Sequence, residues 1–294
     1  MMKIAIITDS TAVLPEEIAG HPDVYQVNLS VQFPDGSSME DTSDSATLRK
    51  FYQELEGMEV LPRTSQPPLG AYYELVDALI AAGYEAILAV HLSGNISGTF
   101  STAQTVLAEY SEQVKVHAID SKAASVVMTA LIREAIRLFE AGETFENVIL
   151  ALEWLAEHST VYLMVEDLMN LQKGGRLSMG SAVVGQFLKI RPLLYFDEVG
   201  SIQVFEKIRT NRKVYQRWVE LAQEALKTYP QGIEIKLAHA AAEEDIQQIE
   251  ALLKEALVWQ DSIEVAYLSP VIGTHTGKGA KGFAIIPQIP SKII

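Results

Sequence analysis

Residues 85–103 read E-A-I-L-A-V-H-L-S-G-N-I-S-G-T-F-S-T-A. The apolar run Glu85–His91, bounded by turn signals, has the length and character of a buried strand. The hydroxyl-rich and glycine-rich turn after it should hand over to a helix near Thr99, with Phe100, Ala103, Val106 and Leu107 facing inward. A helix start presents unpaired amides and the positive end of its dipole, so it favours an anion. Ser93, Ser97 and Thr99 add neutral donors, which makes the turn a candidate anion site without a cation. The same residues also serve as ordinary caps and turn formers.

Outward from this stretch the first half alternates strand and helix. Lys3–Ile7 reads as a strand ending in Thr8-Asp9-Ser10, and Val24–Phe33 as a second strand region. A helix capped at Asp44 or Ser45 runs to about Glu56. Arg63–Pro68 reads as a loop, and a helix from about Leu69 stops before Gly83. Val114–Ile119 is a further strand, Lys122–Ala141 a long helix capped by Asp120-Ser121, and Thr144 opens the next helix. This order predicts an α/β fold, a mostly parallel sheet with helices on both faces.

The second half changes character. Val161–Val165 is a strand, Leu168–Gln172 a short helix broken at Lys173-Gly174-Gly175-Arg176, and Gly180–Ile190 another short helix. Leu193–Phe196 and Ile202–Arg209 carry a hairpin signal. Strands Glu234–Ala238, Ile263–Leu268 and Gly282–Ile286 alternate with amphipathic helices Asn211–Tyr229 and Glu243–Val258. The expectation is a C-terminal α+β domain, 160–294, with a partly antiparallel sheet, after an N-terminal α/β domain, 1–159.

Composition narrows the function. A net charge of −15 over 294 residues disfavours nucleic acid and anionic membrane surfaces. The absence of cysteine removes disulfides, thiol nucleophiles and thiolate metal sites. No apolar stretch is long enough to span a bilayer and no signal-peptide layout opens the chain, so a cytoplasmic protein is expected. The six histidines show no metal-binding spacing, so neither a metal nor a cofactor is expected. Gly273–Gly279 reads G-T-H-T-G-K-G as a turn before a strand. It lacks the phosphate-loop spacing and the helix that should follow.

Hydroxyl-rich and glycine-rich turns recur at Thr8-Asp9-Ser10, Thr64-Ser65-Gln66-Pro67, Asp120-Ser121-Lys122, Leu171–Ser178 and Ile272–Gly279. Ligands of open α/β sheets gather outside the carboxyl ends of the strands, where three of these turns should lie. With the motifs in this order the chain resembles the DegV family of bacterial fatty-acid-binding proteins. The motifs are I-x-T-D-S, T-S-Q-P, S-G-T, D-S-K, L-x-K-G-G-R-L-S, K-I-R-P, K-x-R-T and I-G-T-H-T-G-K-G. The resemblance implies two α/β domains with an acyl chain buried between or beside them. It implies a carboxylate held by Thr64, Ser97 and His275, with Ser65, Ser93, Thr274 and Arg176 as candidate neighbours and Arg209 on a candidate partner surface. It further implies a carrier without catalysis of its own, the lipid-carrying subunit of a fatty acid kinase whose ATP-binding subunit makes the acyl phosphate. From the residues alone, a small-ester or phosphate hydrolase or phosphotransferase and a plain interaction module stay open.

Overall fold

The computed structural model describes residues 2–177 and 191–293. The expected helix at Gly180–Ile190, Ser178, and Lys189-Ile190 of K-I-R-P lie outside the described residues.

Strands β1 (Ile4–Asp9), β2 (Val24–Val27), β6 (Ala86–His91) and β7 (Lys115–Asp120) form a parallel sheet in the order β2-β1-β6-β7. Every residue of β6 is buried, as a central strand covered on both faces requires. One face packs on helices Leu69–Ala81 and Thr99–Glu109 through Tyr72, Val76, Ala103 and Val106. The other packs on Val126–Glu140 and Phe145–His158, and these two helices also touch the second sheet.

That sheet is mixed, with the order β10-β9-β8-β13-β11-β12. It consists of β8 (Thr160–Met164), β9 (Arg191–Phe196), β10 (Ile202–Ile208), β11 (Ile233–His239), β12 (Glu264–Tyr267) and β13 (Lys281–Pro287). Only the β11–β12 pair is parallel. Helices Asn211–Thr228 and Glu243–Leu257 cover its outer face around Trp218 and Phe283. The protein is thus layered helix, sheet, helix, sheet, helix, with the middle helices in one core that reaches both sheets. This is the expected α/β fold with a parallel N-terminal sheet and a partly antiparallel C-terminal one.

Four local readings need correction. The stretch Val24–Phe33 is two strands in different sheets. Leu29 N donates to Ser10 Oγ at 3.1 Å, which diverts the chain after β2. The separate strand β3 (Ser30–Gln32) pairs antiparallel with β4 (Ser38–Glu40) and β5 (Arg63–Ser65). The expected loop Arg63–Pro68 therefore begins as a strand, too short to show alternation. The long helix starts at Val126 rather than Lys122, because Lys122 and Ser125 take positive φ, 52° and 57°. Asp120 accepts from Lys122 N at 2.8 Å and Gly94 N at 3.2 Å instead of capping that helix. Finally, Gly273–Gly279 is no simple turn, since Pro270–Thr276 is helical.

Candidate functional site

The parallel sheet fixes the position of the Ser93–Ser97 turn. The strand order reverses between β1 and β6, and the chain leaves both at their carboxyl ends, the crevice where open α/β sheets take ligands. Asp9, fully buried at the end of β1, ties the two exits together. Its Oδ2 accepts from Leu92 N at 3.1 Å and lies 2.9 Å from His91 Nδ1. Its Oδ1 accepts from Thr11 N and Thr11 Oγ1.

Over this edge lies a cavity between the two halves, with about 860 Å³ of space outside atoms, its mouth included. Its walls are mainly apolar, among them Leu29, Leu92, Val161, Leu163, Ala238 and Val271. Thr64, Ser97, Arg176 and His275 also line it. These come from β5, the turn before the Thr99–Glu109 helix, the end of the Leu168–Lys173 helix, and the last turn of Pro270–Thr276. Thr64, Arg176 and His275 also line an adjoining outer cleft with Arg63, Lys173 and Thr274.

Thr64 Oγ1 and His275 Nε2 are 2.8 Å apart. Burial, with the adjacent Arg176 charge as the lesser cause, pushes the His275 imidazole down to about 4, so the ring is neutral near pH 7. Ser97 Oγ accepts from Thr99 N at 3.3 Å and lies 2.9 Å from Thr99 Oγ1. Arg176 donates through Nε to Ile96 O at 3.0 Å, one residue before Ser97, and through Nη1 to Gly174 O at 2.6 Å. Burial lowers the Arg176 guanidinium from its ordinary value, yet arginine stays protonated in proteins. The expectation of an anion site without a cation is therefore corrected. The cation of this cluster, Arg176, comes from the other half of the chain, as does Lys281 elsewhere in the lining, which local reading of the Ser97 turn cannot reveal.

The other candidates stand elsewhere. Ser93 is fully buried, donates to Gly200 O at 2.8 Å and accepts from Asn95 N, so it pins the β9–β10 hairpin tip outside the cavity lining. Ser65 Oγ accepts from Gln32 Nε2 at 2.9 Å and does not line the cavity. Thr274 Oγ1 donates to Pro270 O at 2.9 Å within its own helix and lines the outer cleft only. Arg209 is exposed just after β10. Lys278, the lysine of the G-K-G run, is bonded to Glu56 at 2.5 Å.

Sequence reading missed the residues that seat this cluster. Gly174 faces His275 so closely that a Cβ there would overlap Nδ1. Gly98 faces Gln66 in the same way, and Gln66 Nε2 donates to Thr102 Oγ1 at 2.7 Å. Tyr52 OH donates to Leu268 O at 2.9 Å, and Gly273 leaves room for its ring. Asp41 Oδ1 accepts from Val271 N at 2.9 Å, holding the start of the His275 helix, and burial raises the Asp41 carboxyl to about 6. The legible signal was the presence of glycine in K-G-G-R, S-G-T and G-T-H-T. What each glycine met was not legible.

Among the described residues no group of three His, Asp or Glu side chains could hold a metal ion, and no helix is long and apolar enough to cross a membrane.

Fold and site define an α/β protein built on two principal sheets, with an apolar cavity ending in a small polar cluster. A profile described as uncharacterised protein, DegV family, matches residues 3–288. Protein DegV of Bacillus subtilis is 35% identical over 285 residues, 96% of this chain and 98% of that one. A DegV domain-containing protein of Listeria monocytogenes is 36% identical over 282 residues, covering 95% and 97%. The solved structure of a fatty acid binding DegV family protein from Streptococcus agalactiae superposes with a TM-score of 0.91 at 34% identity, covering 98% of this chain and all of that one. DegV, a fatty acid binding protein from Bacillus subtilis, superposes with a TM-score of 0.82 at 34% identity, covering 98% and 100%. The chain belongs to the DegV family.

Proposed function

We infer that this protein binds a long-chain fatty acid, with the acyl tail in the cavity and the carboxylate at Thr64, Ser97 and His275. The observation that carries the reading is one apolar cavity that meets these three residues and Arg176. Burying about fourteen methylenes at ~0.8 kcal/mol each contributes roughly 11 kcal/mol before the costs of association. The tail thus supplies affinity despite the protein's negative charge, and the polar cluster selects a carboxylate. Arg176 gives that carboxylate a counter-charge, while its Nε and Nη1 bonds to main-chain carbonyls keep those donors from gripping the head group.

The reading extends to a carrier that presents the carboxylate to a separate ATP-using kinase subunit in the cytoplasm, with no catalysis of its own and no cofactor. It divides the chain into 1–159 and 160–294, with the ligand between them. Thr64 and Ser97 come from one part, Arg176 and His275 from the other. The exposed Arg209 belongs in this reading to the partner surface.

Native mass spectrometry of the purified protein should show a co-purified fatty acid. Protein that is always empty and takes up neither palmitate nor oleate would sink the proposal. Incubation with ATP and the kinase subunit should yield acyl phosphate, trapped as the hydroxamate. No product with a lipid-loaded carrier would remove the kinase role alone.

A further inference from the structure

The Val126–Glu140 helix starts inside the protein without a cap. Its N-cap residue Ser125 makes no side-chain bond to the first amides. Val126, Val127 and Met128, which carry those amides, are 4%, 0% and 0% exposed. A buried helix start with no capping partner is unusual, because each amide has given up water. Ser125 is itself only 4% exposed, and its hydroxyl has no hydrogen-bond partner among the described residues. Both lapses occur at one place, and Ser125 and Val126 line the acyl cavity.

The surrounding turn is otherwise well bonded. Ser121 Oγ accepts from Ala123 N and donates to Ala123 O, while Ala123 O also accepts from Ser93 N at 2.8 Å. Ser125 O accepts from Thr129 N at 3.2 Å. The missing partner is therefore confined to the hydroxyl and the helix start, and the two residues that meet there, Ser125 and Val126, line the cavity.

We propose that Ser125 and the first amides of this helix form a second polar subsite in the cavity, which takes a hydroxyl group carried on the acyl chain. This rests on the fatty-acid reading above. A neutral hydroxyl suits the place better than a second carboxylate. It can donate to or accept from Ser125 Oγ and accept from a helix amide. Of the cavity's two cations, Arg176 is bonded to main-chain carbonyls and Lys281 is paired with Glu166 and Asp245, so both are already engaged.

The test is displacement of a fluorescent fatty acid by hexadecanoate and by a series of monohydroxyhexadecanoates that differ in the position of the hydroxyl. One positional isomer should bind the wild-type protein about tenfold more tightly than the rest. Ser125→Ala should remove that preference and leave hexadecanoate binding the same or slightly tighter. Ser125→Gly, which tolerates the positive φ at this position, should behave alike and covers the case where the alanine variant does not fold. Hexadecanoate binding with no positional preference overturns this subsite alone, as does a preference that survives both substitutions. Failure of every acid to bind overturns the fatty-acid reading as well.

Discussion

Thr64 Oγ1 and His275 Nε2 stand 2.8 Å apart although 211 positions separate them in sequence. The pair bridges the short strand β5 and the Pro270–Thr276 helix, and so joins the two halves of the chain at the rim of the cavity. Neither residue is charged near neutral pH, and Arg176 sits beside them as the cation. The cluster therefore combines neutral hydrogen-bonding groups with one cation.

Thr64→Val and His275→Ala should each weaken palmitate binding by about tenfold to a hundredfold, the worth of a hydrogen bond to a charged group. Methyl palmitate, which lacks the carboxylate, should show a much smaller change. Calorimetric titration of both ligands against both variants checks this, and equal losses for acid and ester would remove the head-group role.

Gly174→Ala should impair carboxylate binding while leaving the fold intact. The φ of −72° at this position suits alanine, and the one backbone atom its Cβ would press on is Asn170 O at 3.0 Å. The added methyl meets the His275 ring and must displace it. Circular dichroism should be unchanged and palmitate affinity reduced. Wild-type affinity in a correctly folded variant would show that the ring's position is immaterial.

Ala238→Leu should shift the preference toward shorter acids. Ala238 is 3% exposed and lines the cavity from β11, so a larger side chain there takes up room for the tail. Each methylene denied burial forfeits about 0.8 kcal/mol. A chain-length series from C10 to C18 should show the optimum moving down, and an unchanged optimum would place the tail elsewhere.

Asp41 makes the fold sensitive to pH. Its carboxyl is raised from 3.8 to about 6 by burial, so the folded state prefers the protonated form. Its contribution to stability is present below about pH 4 and is lost as the pH rises through about 6. Asp41→Asn keeps an acceptor for Val271 N and removes the titration. The variant should be more stable than wild type above pH 6, by roughly 3 kcal/mol at most. Denaturant unfolding from pH 4.5 to 8 measures it, and parallel profiles for the two proteins would refute it.

His275 carries the opposite sign. Its folded-state value of about 4 lies below the ordinary 6.5, so the fold prefers the neutral ring. This contribution is present above pH 6.5 and is lost as the pH falls through about 4. His275→Gln should flatten the acid side of the stability curve, and an unchanged acid limb would show that the ring does not titrate as its burial demands.

Much of the fold was legible because periodicity and burial agree. The fully buried β6, the Asp44 and Thr144 caps and the β9–β10 hairpin lie where local pattern puts them. The misses share a cause, which is tertiary override of a short or polar segment. Three-residue β5 exists because β3 offers it a partner. The Pro270–Thr276 segment, with Gly273 and two threonines, is a poor helix by propensity, and Tyr52 and Asp41 hold its start from 216 and 230 positions away. At the site, Thr64, Ser97 and His275 came from motifs and do share one cavity. Ser93 and Ser65 have the same chemistry, but their hydroxyls are spent on Gly200 and Gln32. Residue type announces a donor, and only the fold says whether the donor is already engaged.

The cavity has walls from both halves of the chain, and its polar rim is drawn two and two from each. A ligand seated there would touch both halves of the chain at once and act as mortar between them. Occupancy and cohesion then become a single equilibrium, in which a ligand there stabilises the folded protein in proportion to the logarithm of its concentration over Kd. If the proposed fatty acid sits there, resistance to proteolysis should rise with loading.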